Sequence, residues 1–546
     1  MGLSYRFTSI TLTSGQELQL LGTGVTCVVG ANNTGKSQLL KDMVETVRGQ
    51  MGVYYGPDSG ERGASRSVVR DASFIVDAHS EQDIIEWASA NTLAVGPSHA
   101  PGNVILPPSQ NQTHLSSIAS SVTSSAAGNG LQYLTDSFVR RIPAGGAMAY
   151  AAGELRTDQN PDSLRNWLIR RLHENGELEA EFSAIVERLF AVPCFVDRVG
   201  FPPRLRAGHV LVDPPPVNAL TAEYADAVNS CPPLDDQGDG LRSFAGLALV
   251  TMALSPSVLL LDEPESFLHP AQARAVGRWL AASARDRGMQ VVVATHDRDF
   301  LIGLLNGSKG GGLEILRLTR AEEGARARQL ESTDLNAYWT DPTLRYSNVL
   351  QGLFHERVVV CEGDRDCRFY GAAADELATS LDKQHVADNT LFIPSSGTGG
   401  FAKLLNVLRD LNVTASVITD FDFLDDRAKV EATLAALGAT WDESVNAAWL
   451  NAMRHIERGK EALFWKKVHN GGLDQVPAGV ATKDFRALLG ELAVRRLHVL
   501  PVGELEDFHR EEGKGAAWVG SALDAEAHKS ASVQSLLSVV IPELKA

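Results

Sequence analysis

Apolar residues along this chain fall into short runs, and stretches of helical period follow several of them. The opening MGLSYRFTSITLTSGQELQLL alternates apolar and polar positions, which predicts strands with one buried face. The run VTCVV reads as a buried strand, and SQLLKDMVETV, after a glycine-rich turn, reads as a helix. SFIVDA at 73–78 predicts a further strand, and 81–90 a helix. From about 107 to 130 the chain turns to Ser, Asn, Gln and Gly, a composition that supports a loop or one short helix and reads as an insertion. Helical periodicity resumes over 163–174 and 177–190, as an arm or as part of the preceding domain. The runs at 258–261 and 291–294 have the length of buried parallel strands. A charged, weakly patterned stretch at 319–333 then leads to a fresh βα unit at Arg357. The whole is α/β: one domain over 1–340, interrupted by a polar and helical insertion at about 105–190, and a second over 341–546.

Composition agrees with several domains, because 546 residues exceed what one core sustains. A hydrophobic fraction of 44% and a charged fraction of 21% are globular values, and no apolar run has the length of about 18 residues that a membrane span needs. The first residues lack a secretory pattern, and the five scattered cysteines show no CxxC spacing, so the expectation is a reducing cytoplasm without membrane contact. A net charge of −17 argues against a protein that coats nucleic acid non-specifically, yet it leaves room for a local basic groove.

The chemistry begins at Gly30-Ala31-Asn32-Asn33-Thr34-Gly35-Lys36-Ser37, a complete GxxxxGKS loop between strand and helix. Its glycines let backbone N–H groups face phosphates, and the helix N-terminus adds partial positive charge. Gly30, Asn32, Asn33, Thr34 and Gly35 would line the nucleotide, Lys36 would hold the β- and γ-phosphates, and Ser37 would give its hydroxyl to Mg²⁺. The run Val258–Leu261 ends in Asp262 and Glu263 at the carboxyl edge of a sheet, where ligands bind. Asp262 then orients the Mg²⁺ shell and Glu263 is the candidate general base.

LLLDEPESFLHP, with ATHD some thirty residues later, resembles the ABC-type ATPases of the RecF, SMC and OLD (overcoming lysogenization defect) groups. That resemblance implies a switch histidine at His296 and a head-to-tail dimer in which a signature segment covers the partner's ATP. The matching position, Gly238-Asp239-Gly240-Leu241-Arg242-Ser243, departs from LSGGQ and makes Gly240 and Ser243 the candidates.

Further on, a strand at 358–361 ends in Glu362-Gly363-Asp364-Arg365-Asp366, and another at 415–419 ends in Asp420-Phe421-Asp422. A Glu followed by a DxD at strand ends resembles the Toprim fold of topoisomerases, primases and OLD nucleases. Phosphodiester cleavage needs a divalent metal to neutralise the phosphate and to make hydroxide, and Mg²⁺ or Mn²⁺ prefers carboxylate oxygen. An extended DxD turns Asp420 and Asp422 to one side. Between the two strands Ile393–Gly400 is a glycine-rich turn, read as a tight Toprim turn or a phosphate contact.

The resemblance implies catalytic roles for Glu362 and Asp420, with Asp366, Asp422 and one of Glu504 and Glu506, in a GELE-type segment, completing the metal ligands. It also implies a catalytic lysine, for which Lys514 and Lys529 are the carriers. Arg204 and Arg206 are candidates to touch nucleotide or DNA. The expectation is therefore an OLD-like enzyme that binds ATP and Mg²⁺ or Mn²⁺, cuts DNA as a homodimer or larger oligomer, and serves antiphage defence or DNA processing. A defence partner such as a helicase or retron component belongs to the same resemblance. The alternatives are an ATP-driven sensor or scaffold that cuts nothing, and an effector that cuts RNA or tRNA.

Overall fold

The computed structural model describes residues 4–50, 67–77, 93–94, 103–105, 112–114, 117, 138–152, 164–200, 203–216, 219–309, 311–321, 324–331, 348–510, 515 and 517–545. The expected helix at 81–90 and the loop at 107–130 lie largely outside them. The chain forms two compact units that divide between Asn336 and Ala337.

In the first unit, β1 (Ser4–Leu12), β2 (Glu17–Gln19) and β4 (Val69–Asp77) form an antiparallel sheet in the order β2-β1-β4, and β3 (Gly24–Val29) belongs to the main sheet. Three short strands, β5 (Leu93–Ala94), β6 (Asn103–Ile105) and β7 (Gln112–His114), pair among themselves. The main sheet adds β8 (Val139–Ile142), β11 (Val258–Asp262), β12 (Gln290–Ala294), β13 (Leu313–Ala321) and β14 (Gly324–Glu331), in the order β14-β13-β3-β12-β11-β8. All pairings in it are parallel except the β13–β14 hairpin. Between β8 and β11 in sequence, β9 (Cys194–Asp197) and β10 (Arg204–Ala207) make a separate antiparallel pair.

Every residue of β3, β11 and β12 is buried, as their unbroken apolar runs require of central strands covered on both faces. Gln290 is buried among them with its amide fully used: it accepts from Phe7 N at 2.8 Å and donates to Phe7 O at 2.9 Å and Leu21 O at 2.6 Å, which ties the antiparallel sheet to the main one. The described part of the charged stretch at 319–333 is an edge hairpin, in which Ala325, Ala327 and Leu330 face inward and Arg326 and Arg328 face solvent. The expected helices are Leu164–Glu174 and Gly176–Phe190, and the second stacks Phe190 on Phe244, which meets Trp279 edge-on.

The second unit is built on a parallel sheet of β15 (Arg357–Cys361), β16 (Thr390–Pro394), β17 (Thr414–Thr419) and β18 (Leu497–Val499), ordered β16-β15-β17-β18. The chain leaves β15 to one side for β16 and returns to the other side for β17. The carboxyl ends of β15 and β17 therefore flank the switch point at which open α/β sheets hold ligands. Helix Asp364–Ser380 packs Phe369, Tyr370, Ala373 and Leu377 into the core beside Trp518.

Candidate active sites

In the first unit the loop between β3 and helix Lys36–Gln50 takes the shape its glycines allow. Gly30, Asn33 and Gly35 all have positive φ, and a Cβ on Gly35 would stand 2.5 Å from Val68 Cγ2. Ser37 Oγ donates to Asp262 Oδ1 at 2.8 Å, so the hydroxyl and carboxylate expected to share Mg²⁺ already meet. Burial lowers the Lys36 pKa, opposed by Glu263, Asp262 and Glu265. Burial raises that of Asp262.

His296 Nδ1 stands 3.0 Å from Glu263 Oε1 and 3.9 Å from Glu265 Oε1. Glu263 itself has a positive φ of 47°, a strained position for a non-glycine residue, and its N–H donates to Ala294 O. Two residues outside the motif reading join them. Glu265 is buried, accepts from Thr295 Oγ1 at 2.5 Å, and is pushed by burial to a pKa of about 8. Arg141, on the neighbouring β8, brings Nη2 to 3.9 Å from Asp262 Oδ2. No local spacing marks Arg141, because its place follows from the pairing of β8 with β11.

Two further residues, Ser243 and Arg206, are placed differently from the expectation, while Gly240 is half-buried at the start of its helix. Ser243 is only 3% exposed, on the inward face of helix Asp239–Leu249, so its hydroxyl is not offered to a second subunit. Gly240 lies against the backbone of Phe267, where a Cβ would meet the carbonyl oxygen at 2.8 Å. Arg206 is buried, with its guanidinium used by Asp197, Cys231 O and Asn229, which leaves nothing for nucleotide or DNA.

In the second unit, Glu362 Oε1 accepts from Thr419 Oγ1 at 2.6 Å and from Asp420 N at 3.0 Å, which pins the end of β15 to the end of β17. Asp420 is pushed to about 9, first by burial and then by the charges of Glu362, Asp366, Asp422 and Glu504. Asp366, in the first turn of its helix, accepts from Gly363 N and is pushed to about 6, chiefly by burial. The Ser395–Gly400 turn abuts the same strand end: Ser395 Oγ donates to Cys361 O, and Gly397 N donates to Glu362 O at 2.9 Å.

Asp420 and Asp422 are not two steps of an extended strand. β17 ends at Thr419 and Phe421–Asp425 is a 3-10 turn, so Asp422 is presented by helical rather than strand geometry. It meets His469, whose Nδ1 is 2.8 Å from Asp422 Oδ2 and whose Nε2 is 3.0 Å from Glu504 Oε2. His469 ends helix Glu461–His469, in a segment without any motif, and only the fold brings it here.

Of the GELE carboxylates, Glu504 is buried and turned toward His469, whereas Glu506 pairs with Arg365 at 2.7 Å. Lys529 is a correction: it pairs with Glu526 and Glu376. Glu376 lies ten residues beyond Asp366 on one helix, or about 15 Å at the helical rise. Lys514 lies outside the described residues.

Among the described residues no three His, Cys, Asp or Glu side chains form a ready-made metal cage. The donor set nevertheless suits a hard divalent ion: it consists of carboxylate oxygens, and burial, then the crowding of these charges, pushes the Asp420 carboxyl up to about 9, a cost that a bound cation would relieve.

Two family models match the chain. One, described as "AAA domain, putative AbiEii toxin, Type IV TA system", covers 232–303 and so includes Asp262, Glu263 and His296. The other, "Overcoming lysogenization defect protein-like, TOPRIM domain", covers 353–422, from before Glu362 through Asp422. The Old nuclease of Escherichia phage P2 is 24% identical over 178 residues, 32% of this chain and 29% of that protein. In these segments the chain is similar to OLD-family ATPase–Toprim proteins. The match spans under a third of the phage nuclease's own length. Protein MJECL11 of Methanocaldococcus jannaschii is 31% identical over 77 residues, 14% of this chain and 68% of that protein. The SMC head domain of Thermotoga maritima superposes on 61% of this chain and 100% of its own at 13% identity and a TM-score of 0.29. The α/β architecture of the chain rests on its sheet orders and the two family matches.

Proposed function

We propose that this protein is an OLD-type, ATP-hydrolysing, divalent-metal-dependent nuclease that cuts DNA. Its first domain, ending near residue 340, is the ABC-type ATPase and the remainder is the Toprim nuclease. The observation that carries the reading is the pinning of Glu362 to Thr419 and Asp420 at the switch point of a sheet, where the charges of Glu362, Asp366, Asp422 and Glu504 converge on Asp420.

In the ATPase, Lys36 neutralises the transferred phosphate and Ser37 and Asp262 share the nucleotide's Mg²⁺. Glu263 polarises the attacking water, and His296, 3.0 Å from it, reports the γ-phosphate through that contact. In the nuclease, Thr419 and the Asp420 N–H both bind Glu362 Oε1, which fixes the direction of its other oxygen. Glu362, Asp366, Asp420, Asp422 and Glu504 are the ligands for one or two Mg²⁺ or Mn²⁺ ions. When bound, such ions neutralise the scissile phosphate and generate hydroxide near neutral pH. A homodimer through the ATPase domain, a cytoplasmic setting and a role in antiphage defence with a helicase or retron partner complete the proposal.

A plasmid-nicking assay with Mg²⁺ or Mn²⁺, with and without ATP, tests it. Glu362→Ala removes cleavage and leaves ATP hydrolysis, and Lys36→Ala removes hydrolysis. Cleavage that survives Glu362→Ala refutes the metal assignment. Cleavage of tRNA in place of plasmid supports an RNA effector, and hydrolysis without any cleavage supports a sensor.

A further inference from the structure

Helices Pro270–Asp286 and Arg298–Ser308 lie backbone to backbone: a Cβ on Gly277 would meet Phe300 O at 2.4 Å, and one on Gly303 would meet Arg274 O at 2.2 Å. This contact makes a stiff floor for a groove of about 680 Å³ roofed by the end of helix Gly176–Phe190. The described residues lining it include four cations, Arg188, Arg278, Arg285 and Lys309, against one acid, Asp286. Arg285 is held by Asp286 and by Gly307 O. Arg188, Arg278 and Lys309 are exposed and form no ion pair among the described residues. In a chain of net charge −17, which has acids to spare, such a concentration of unneutralised cations is a positive feature of the surface.

The shape favours a linear polyanion over a small one. A second hollow of about 700 Å³ shares Arg285, Asp286 and Lys309 with the first and carries the track on past Ser308. Arg278 and Arg285 are seven residues apart on one helix face, about 10.5 Å along its axis, so the charges are spread rather than gathered round one point. Gln272 and Asn306 add amide donors. Trp279 is 9% exposed and offers little of the aromatic anchor that protein partners use.

We infer that this groove is a docking track for the phosphodiester backbone of duplex DNA, separate from the nuclease carboxylates. It rests on the reading of the chain as a DNA nuclease. The track holds substrate without reading its sequence, because its contacts are charge contacts to phosphate.

Fluorescence anisotropy of a labelled duplex with the full chain in EDTA tests the inference without cleavage. The triple variant Arg188→Glu, Arg278→Glu, Lys309→Glu should bind at least about tenfold more weakly, with a salt slope shallower by up to about 3, near 0.9 for each lost phosphate contact. Its melting temperature and DNA-free ATP turnover should match wild type. The single variant Lys309→Gln should give a smaller loss in the same direction. Wild-type affinity in the triple variant overturns the inference, while plasmid cleavage that still needs Glu362 leaves the nuclease reading standing. Loss of binding to an acidic protein or to RNA, with duplex affinity unchanged, also overturns it.

Discussion

At the scale of single residues, one buried group, Glu265, and one half-buried group, His469, carry consequences that activity assays alone do not reach. Glu265 has a folded pKa of about 8 against an ordinary 4.5, so the folded protein holds its proton more tightly than the unfolded chain. Its contribution to stability is whole below the unfolded value and is lost as pH rises from there through 8. Glu265→Gln, which cannot ionise, should therefore melt higher than wild type at pH 9 and lose that advantage near pH 5. The gap amounts to a few kcal/mol, since a tenfold difference in proton affinity between folded and unfolded chain is worth about 1.4 kcal/mol. Thermal melts at the two pH values check it, and equal melting at both refutes it. His469 stands between two carboxylates and separates their charges. His469→Ala should lower the melting temperature of the metal-free protein by several degrees, as expected for about 1 to 2 kcal/mol, and Mn²⁺ should recover most of the loss. A melting temperature unaffected by the substitution would show that the imidazole does not balance that pair.

At the scale of elements, close approach of helices governs the first unit. Gly303 sits where a Cβ would meet a backbone carbonyl at 2.2 Å, and backbone cannot step aside as a side-chain tip can. Gly303→Ala should cost about 1 to 3 kcal/mol by overpacking, read as a lower denaturant midpoint with little change of slope. The elements that bear the chemistry were legible as sequence: β3, β11, β12, β15 and β17 are apolar runs punctuated by a glycine loop or an acid. The hairpin β13–β14 was not, because a half-exposed edge strand carries charges on its open face and dilutes the apolar signal. Asp422 was misread for a related reason. The DxD spacing suits a strand, but β17 stops at Thr419 and the chain turns helical there.

At the scale of the molecule, ATP and DNA should each report on their own half. Glu263→Gln should bind ATP without turning it over and accumulate as a dimer in sedimentation velocity, while Lys36→Ala stays in the wild-type nucleotide-free state. Monomer under both conditions would rule out association through the ATPase. The sequence by itself marked Lys36, Asp262, Glu263, Glu362 and Asp420 as candidates and set the order of the segments that carry them. Each of these stands at the end of its own strand or loop, and local spacing is enough to specify it. Only the tertiary structure decided that His469 joins Asp422 to Glu504, that Arg141 reaches Asp262, that Ser243 is buried and that Lys529 is tied to Glu376. These relations link residues distant in sequence or depend on which face of a helix is covered. They are properties of strand order and helix packing, which no local pattern encodes.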